Sequence, residues 1–332
     1  MSDVAALARV SLTTVSRVIN GFSTVDDDLA ARVRRAAETL DYRHNLTASS
    51  LRRTGGRTRT VGLVLEDVAN PFSSAIHRAV EDVARARDVA VLAGSVNEDP
   101  DQERALIESL VARRVDGLII VPAANDQSYL LKERAAGISM VFVDRPARFL
   151  DADSVVAGNE DGVRDGIRHL VAHGHRRIGY LGDLPGIASA AARHRGYASE
   201  ITAQGWPLDN DLVRMGLRTV DAADAAVTEL LGSAQPPTAM FAAQNLLTIG
   251  AFRALRRAGR HREVALVGFD DFPLADLLEP AITVVAQDPL AIATAGAELL
   301  FRRLDGDESP SEHIVIPTRL IVRGSGELGR PG

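Results

Sequence analysis

Residues 3–20, DVAALARVSLTTVSRVIN, limit what this chain can fold into more than any other stretch. Val4, Leu7 and Ala8 fall at i, i+3 and i+4, one face of a helix. Val15, Val18 and Ile19 repeat that spacing. Arg9, Val10 and Ser11 between them leave room only for a tight turn, and Ser11 suits the N-cap of the second helix. The pattern predicts a second helix that buries its valines and turns Leu12, Thr13, Thr14, Ser16 and Arg17 outward. Such a helix can lie in a DNA major groove. Threonine bonds base edges or phosphates, its methyl or Leu12 can touch a thymine methyl, and arginine can read guanine. The same spacing also fits an ordinary helical hairpin on a domain surface.

A third helix is expected over residues 27–40, with Leu29, Val33, Ala36, Ala37 and Leu40 as its apolar face and Asp26 as its N-cap. Three short helices around a few aliphatic side chains make a small but viable head. Its charge sets it apart. Residues 1–60 carry ten arginines against six acids, a net +4, whereas the whole chain is −6 and the remainder therefore −10. A basic head on an acidic body implies a polyanion partner for the head alone. Residues 45–53, NLTASSLRR, form a short, weak helical pattern that would not stay helical by itself. Residues 54–57 then read as a linker.

From Thr60 the rhythm changes to short apolar strands alternating with amphipathic helices. Strands TVGLVL, AVLAG, GLIIV and MVFVD alternate with helices expected at 74–86 and 102–113 and one before MVFVD. A second series opens near Val155, with helices at 160–172, 190–204, 222–231 and 246–258 around strands at 178–181, 240–243 and 264–268. After Pro280 come a strand, a helix at 290–304 and the strand HIVIP. This alternation predicts parallel sheets with helices on both faces, in two α/β lobes with a ligand cleft beyond the strand C-termini.

Several function classes fall away. The 332 residues contain no cysteine, which excludes disulfides and thiolate metal sites and fits a cytoplasmic protein. No apolar run reaches the ~18 residues of a membrane span, and the N-terminus shows no secretion signal. No G-x-S-x-G elbow, phosphate-binding loop or G-x-G-x-x-G fingerprint marks an enzyme, so no cofactor is expected. His169 and His173 at i, i+4, with His175 nearby, could share an ion. No acidic residue completes a known zinc spacing, so HGHRR reads as a helix-to-strand turn and no metal is expected. A sugar-binding transport protein would need export and no basic head.

The segments DVAALARVSLTTVSRVIN, LDYRHNLTASSL, NPF at residues 70–72, LVAHGHRRIGYLG, RHRGY and VGFDD together resemble the lactose-repressor/galactose-repressor (LacI/GalR) transcription factors over nearly the whole chain. The resemblance implies a small all-α helix-turn-helix head and a hinge helix. A two-lobed core like a periplasmic binding protein, with Rossmann-like lobes, would follow. It places the head at 1–44, the hinge and linker at 45–59, one lobe at 60–157 and 287–316, and the other at 158–286 and 317–328. It implies a homodimer, not an enzyme, that binds a pseudo-palindromic double-stranded operator under control of a small effector, most often a carbohydrate inducer, with a purine-like corepressor as the alternative.

By position, Leu12, Thr13 and Arg17 match the family's base-reading residues. Ser11, Thr14, Ser16 and Asn20 match residues that contact or position phosphates. Asn45, Ala48 and Leu51 fall in the hinge, where Leu51 matches a leucine that wedges into the minor groove. Phe72, Arg193 and Asp270 fall where the family contacts its effector, with Asp67, Asn70, Asp144, Asn159, Gln244 and Gln287 as further choices. The sequence departs from the family pattern at His44, where proline is usual. Asp26 and Leu29 stand where a small polar pair usually opens the third helix. Gln244-Asn245 replaces the usual Asn-Asp pair.

Overall fold

The computed structural model describes residues 1–19, 25–42 and 57–329. The chain divides into two compact units, Met1–Thr58 and Arg59–Gly332. Of the sequence-derived positions, Asn20, Asn45, Ala48 and Leu51 lie outside the described residues.

The first unit holds α1 (Ser2–Ala8), α2 (Leu12–Ile19) and α3 (Asp27–Thr39). Val4, Ala5, Ala8, Val15, Val33 and Ala36 form its core, with Val10, Val18, Ile19, Ala37 and Tyr42 packed around them. Three fully buried valines, each worth roughly 1.5–3 kcal/mol, supply most of the apolar stabilisation. The turn after α1 is made by Arg9 in the left-handed region at φ 52°. The Val10 N–H then donates back to the Ala5 carbonyl at 3.0 Å. Arg32 of α3 donates to the carbonyls of Ala8 at 2.5 Å and Arg9 at 3.3 Å, satisfying groups that a helix end leaves open.

Two expectations for this core fail. Leu7 is 51% exposed, because α1 turns the Val4-Ala5-Ala8 face inward and position 7 lies more than a quarter-turn away from it. Leu40 is also largely exposed, since it caps α3 beyond the last helical residue.

The second unit contains two six-stranded sheets. The first has the order β11-β5-β4-β3-β1-β2, and every neighbouring pair is parallel. Its strands are β1 (Thr60–Leu65), β2 (Ala90–Ser95), β3 (Gly117–Ile120), β4 (Ser139–Val143), β5 (Asp153–Ala157) and β11 (His313–Ile316). The second has the order β12-β10-β9-β8-β6-β7 and is parallel except for β12 against β10. Its strands are β6 (Ile178–Leu181), β7 (Val213–Arg214), β8 (Ala239–Ala242), β9 (Ala265–Phe269), β10 (Thr283–Ala286) and β12 (Arg319–Ile321). The strand near Val155, read as opening the second series, pairs with β4 and β11 in the first sheet.

The chain passes between the sheets three times: after β5, after β10 and after β11. Helix α4 (Pro71–Arg85) packs with α11 (Pro289–Leu304) on the first sheet. Between α4 and α11 in chain order come α5 (Pro100–Ala112), α6 (Leu131–Ala135), α7 (Asn159–Ala172), α8 (Ala188–Ala203), α9 (Val220–Leu231) and α10 (Asn245–Arg257). Both sheets point the C-terminal ends of their central strands toward the space between the lobes, where an open α/β sheet places its ligand.

Candidate functional site

Strand ends build the site. Glu66 follows β1 directly, and Asp144 and Arg145 follow β4. From the other lobe, Asp183 stands just past β6, Ala243 and Gln244 follow β8, Asp270 follows β9 and Gln287 follows β10. Asn70 and Phe72 come from the start of α4, and Ser189, Ala190 and Arg193 from α8. Together they line a cavity of about 40 Å³ between the lobes. A wider groove of about 750 Å³ opens beside it and shares Asp144 and Ser189. The small cavity holds the converging buried polar groups, so the chemistry belongs there.

Asp144 and Asp270 occupy equivalent places in the two lobes. Both sit in the left-handed region, at φ 67° and 69°, a conformation that aspartate tolerates better than most residues. The N–H of each donates to the next strand at 2.9 Å, Asp144 to the Val155 carbonyl and Asp270 to the Val285 carbonyl. Strain of this kind gathers at functional sites. Here it turns one carboxylate from each lobe into the cleft.

Arg193 is held from every side. Its Nε donates to Asn159 Oδ1 at 2.7 Å and its Nη1 to the Ala243 carbonyl at 2.8 Å. Nη1 lies 3.6 Å from Asp270, and the guanidinium stacks 3.9 Å over the Phe269 ring. Gly196, one turn along α8, explains the RHRGY sequence: a Cβ there would meet the Glu160 carbonyl at 2.5 Å. Glycine thus lets α8 approach α7 closely enough for Arg193 to reach Asn159. Arg145 is equally engaged, with Nη1 donating to Glu98 at 2.7 Å and to the Pro122 carbonyl at 2.9 Å, and Nε 3.2 Å from Asp144. Contacts between lobes close over the cavity: Asn245 donates to Asn70 Oδ1 at 3.0 Å, and Arg218 reaches Glu66 at 3.5 Å and the Asn97 carbonyl at 3.3 Å.

Burial pushes the Glu66 carboxyl up to about 7, with Glu98 adding to the shift and Arg145 opposing it. Burial likewise raises Asp144 and Asp183. Folded Glu66 keeps its proton to about pH 7, while the unfolded chain releases it near 4.5. The folded state therefore binds more protons in that window, and stability falls as pH rises through it. Glu66→Gln is expected to stabilise the protein by on the order of 3 kcal/mol at pH 8, roughly 6 °C in melting temperature, and by less than about 1 kcal/mol at pH 5. Thermal unfolding of both proteins at the two pH values checks this; a stabilisation independent of pH would contradict it.

Of the sequence-derived effector residues, Phe72, Asn70, Asp144, Arg193, Gln244, Asp270 and Gln287 line the cavity. Phe72 also packs on the first-lobe core. Asn70 doubles as the N-cap of α4, accepting from the Phe72 N–H at 3.0 Å. Asn159 lines the wider groove and orients Arg193. Asp67 is not brought in; its carboxylate accepts from the Ala69 N–H at 2.9 Å in the turn before α4. Sequence reading missed Glu66, Arg145, Asp183 and Ser189. For the first three the available signal was a charged residue standing within two places of a buried parallel strand's end; Ser189, on α8, carried none.

On the first unit, the predicted face of α2 is present. Ser11 Oγ accepts from the Thr14 N–H at 3.1 Å, capping α2. Leu12 is 55% exposed, Thr13 and Arg17 are exposed, and Thr14 and Ser16 are half-buried. Asp26 caps α3, accepting from Asp28 at 3.0 Å and Leu29 at 3.4 Å. The three histidines have partners in the helix-to-strand turn: His173 bonds the His169 carbonyl at 2.8 Å, and His175 reaches Thr238 at 3.0 Å and the Leu328 carbonyl at 2.7 Å, while His169 pairs with Glu327.

Residues 1–45 match the model for bacterial regulatory proteins of the lacI family, and residues 167–326 match the periplasmic binding protein-like domain. The HTH-type transcriptional regulator PtxS of Pseudomonas aeruginosa is 33% identical, over 98% of this chain and 95% of its own length. The chain belongs to the LacI/GalR family. Among solved LacI/GalR structures, the lac repressor dimer bound to operator and the anti-inducer ONPF is similar at a TM-score of 0.87 and 27% identity, covering 98% of each chain. The CelR–cellobiose complex is similar at 0.74 and 32%, again over 98% of each chain. As a LacI/GalR protein the chain is a sequence-specific DNA-binding regulator and not an enzyme. In the Gln244-Asn245 pair, Asn245 is spent on the contact to Asn70, and Gln244 faces the cavity.

Proposed function

We propose that this regulator is a repressor that binds a pseudo-palindromic operator as a homodimer and is released by a small polyhydroxy metabolite held between the core lobes. The observation that carries this reading is the convergence of Asp144, Arg193, Gln244, Asp270 and Gln287, all at strand ends or on α8, around one buried cavity with Phe72 beside them. Paired acceptors and guanidinium suit the vicinal hydroxyls of a sugar, and an aromatic face covers its apolar side. The operator-bound lac repressor dimer and the cellobiose complex of CelR support both halves of the reading.

Effector binding in the cleft would close the lobes about the three crossings and re-angle the first lobes of the dimer. The first lobe begins directly after the linker, at Thr60, and its reorientation in a dimer would reach residues 45–59. Asn45, Ala48 and Leu51 would then lose their minor-groove seat, and specific binding would weaken. Moving such a switch from 1:99 to 99:1 requires about 5.5 kcal/mol of differential affinity.

Leu12, Thr13 and Arg17 are assigned the base contacts, and Ser11, Thr14, Ser16 and Asn20 the phosphate contacts. Selection of duplexes from a random pool by the full chain tests this. The expected product is a symmetrical site whose affinity falls steeply with salt. Arg17→Ala should cost about 1–3 kcal/mol at one base pair per half-site and relax preference there. An unchanged preference profile removes Arg17 from the readout, and failure to enrich any symmetrical sequence contradicts the operator reading.

A further inference from the structure

The cavity's hydrogen-bonding groups are unevenly matched, and this constrains the ligand more tightly than its polarity does. Four carboxylates line it: Glu66 and Asp144 from one lobe, Asp183 and Asp270 from the other. Glu98 stands behind Arg145 as a fifth. Against these five are Arg145, Arg193 and, at the rim, Arg218. The two lining arginines are already occupied, Arg193 by Asn159, the Ala243 carbonyl and Asp270, and Arg145 by Glu98, Asp144 and the Pro122 carbonyl. Among the described residues Arg145 Nε makes no hydrogen bond, but both guanidinium charges already face carboxylates, Glu98 and Asp144 for Arg145 and Asp270 for Arg193, so neither has charge left over for an anion.

Among the described residues, two acceptors lining the cavity have no donor. Gln244 is 92% buried, and its Oε1 has no hydrogen-bond partner; its Nε2 donates to Asp183 at 3.2 Å. Gln287 Oε1 is likewise buried and unpartnered, with its Nε2 turned to Asp270. A buried acceptor without a donor costs about 1–3 kcal/mol, so the cavity calls for a ligand rich in donors. Glu66 and Asp183 are the least compensated charges. They line the cavity from opposite lobes; among the described residues Glu66 makes one ion-pair contact, to Arg218 at 3.5 Å, with the Arg145 charge acting from further off, and Asp183 has the Leu184 N–H at 2.6 Å and Gln244.

We propose that the cavity selects a positively charged polyhydroxy ligand of the amino-sugar class, its ammonium between Glu66 and Asp183 and its hydroxyls donating to Gln244 Oε1 and Gln287 Oε1. The inference rests on the reading of this cavity as the effector site. An ammonium supplies three donors and a charge, and it balances two carboxylates that a neutral sugar leaves uncompensated. A sugar acid or sugar phosphate brings acceptors and negative charge to a place already crowded with both.

The test is calorimetric titration of the full chain at pH 7.5 with three matched series: glucosamine, glucose and gluconate, and the corresponding galacto and manno trios. In at least one series the amine is expected to bind tenfold or more tightly than the neutral parent, and the acid not measurably. Glu66→Gln and Asp183→Asn should each bring the amine-to-neutral affinity ratio close to one. Because Glu66→Gln is isosteric and relieves a buried charge, the variant should fold. Neutral sugars binding as tightly as the amines, acids binding, or a ratio unmoved by both substitutions would overturn the charge proposal while leaving the cavity as a sugar site. Binding by none of the nine would overturn both.

Discussion

Arg193→Ala is expected to lower the stability of the protein by about 3–5 kcal/mol and to abolish ligand binding. The size follows from what the side chain leaves behind. Asp270 becomes a buried carboxylate without its guanidinium, Asn159 Oδ1 and the Ala243 carbonyl lose their donor, and the Phe269 face loses its cation. Much of the cost is therefore the stranded charge and not a lost contact. The double variant Arg193→Ala, Asp270→Asn should be more stable than Arg193→Ala alone, since a neutral amide tolerates the site better. Arg193→Lys should fall between, keeping the charge but not the planar fork that reaches two acceptors and stacks on a ring. Urea unfolding of the three variants checks the order. Equal destabilisation by Arg193→Ala with and without Asp270→Asn would show that the pair is not coupled.

Deleting residues 1–58 is expected to reduce specific operator affinity by about 10³-fold or more while leaving ligand affinity within twofold. The cavity draws every lining residue from the unit Arg59–Gly332, and the exposed Leu12, Thr13 and Arg17 belong to the other. Calorimetry and duplex binding on the truncated protein measure the two affinities side by side. Retained specific DNA binding would relocate the interface; lost ligand binding, with the truncated protein folded, would mean that the head contributes to the cavity.

The parallel strands and most helices were legible because each is a short apolar run or an amphipathic repeat that tertiary packing only reinforces. The systematic error lay in where helices begin. Those expected at 74, 102 and 290 start instead at Pro71, Pro100 and Pro289, each behind an Asn or Asp whose side chain accepts from the first turn. Proline lacks the N–H that the first turn leaves unpaired anyway, so it opens a helix as readily as it ends one. The two-residue strand Val213–Arg214 and the antiparallel Arg319–Ile321 carry no periodicity of their own; they exist because a sheet edge was available.

The site was half legible. Arg193 and Asp270 could be found from the family pattern, and their polarity at strand ends made chemical sense. Glu66 and Asp183 were marked only by their places just past a strand end, and their importance shows only when the second lobe brings each its counterpart in the same cavity, a relation between residues far apart in the chain. Leu7 shows the same limit on a small scale: its spacing fitted a buried face, and only the packing of α1 against its neighbours decided that Ala5 took the place.

The most direct test of the account is a reciprocal titration of the full chain: operator affinity with the cavity empty and saturated by its tightest-binding sugar, and sugar affinity with and without operator. The account predicts that the sugar lowers operator affinity by about tenfold or more and that operator lowers sugar affinity by the same factor, as linkage requires. Operator affinity that stays unchanged when the cavity is saturated would contradict it.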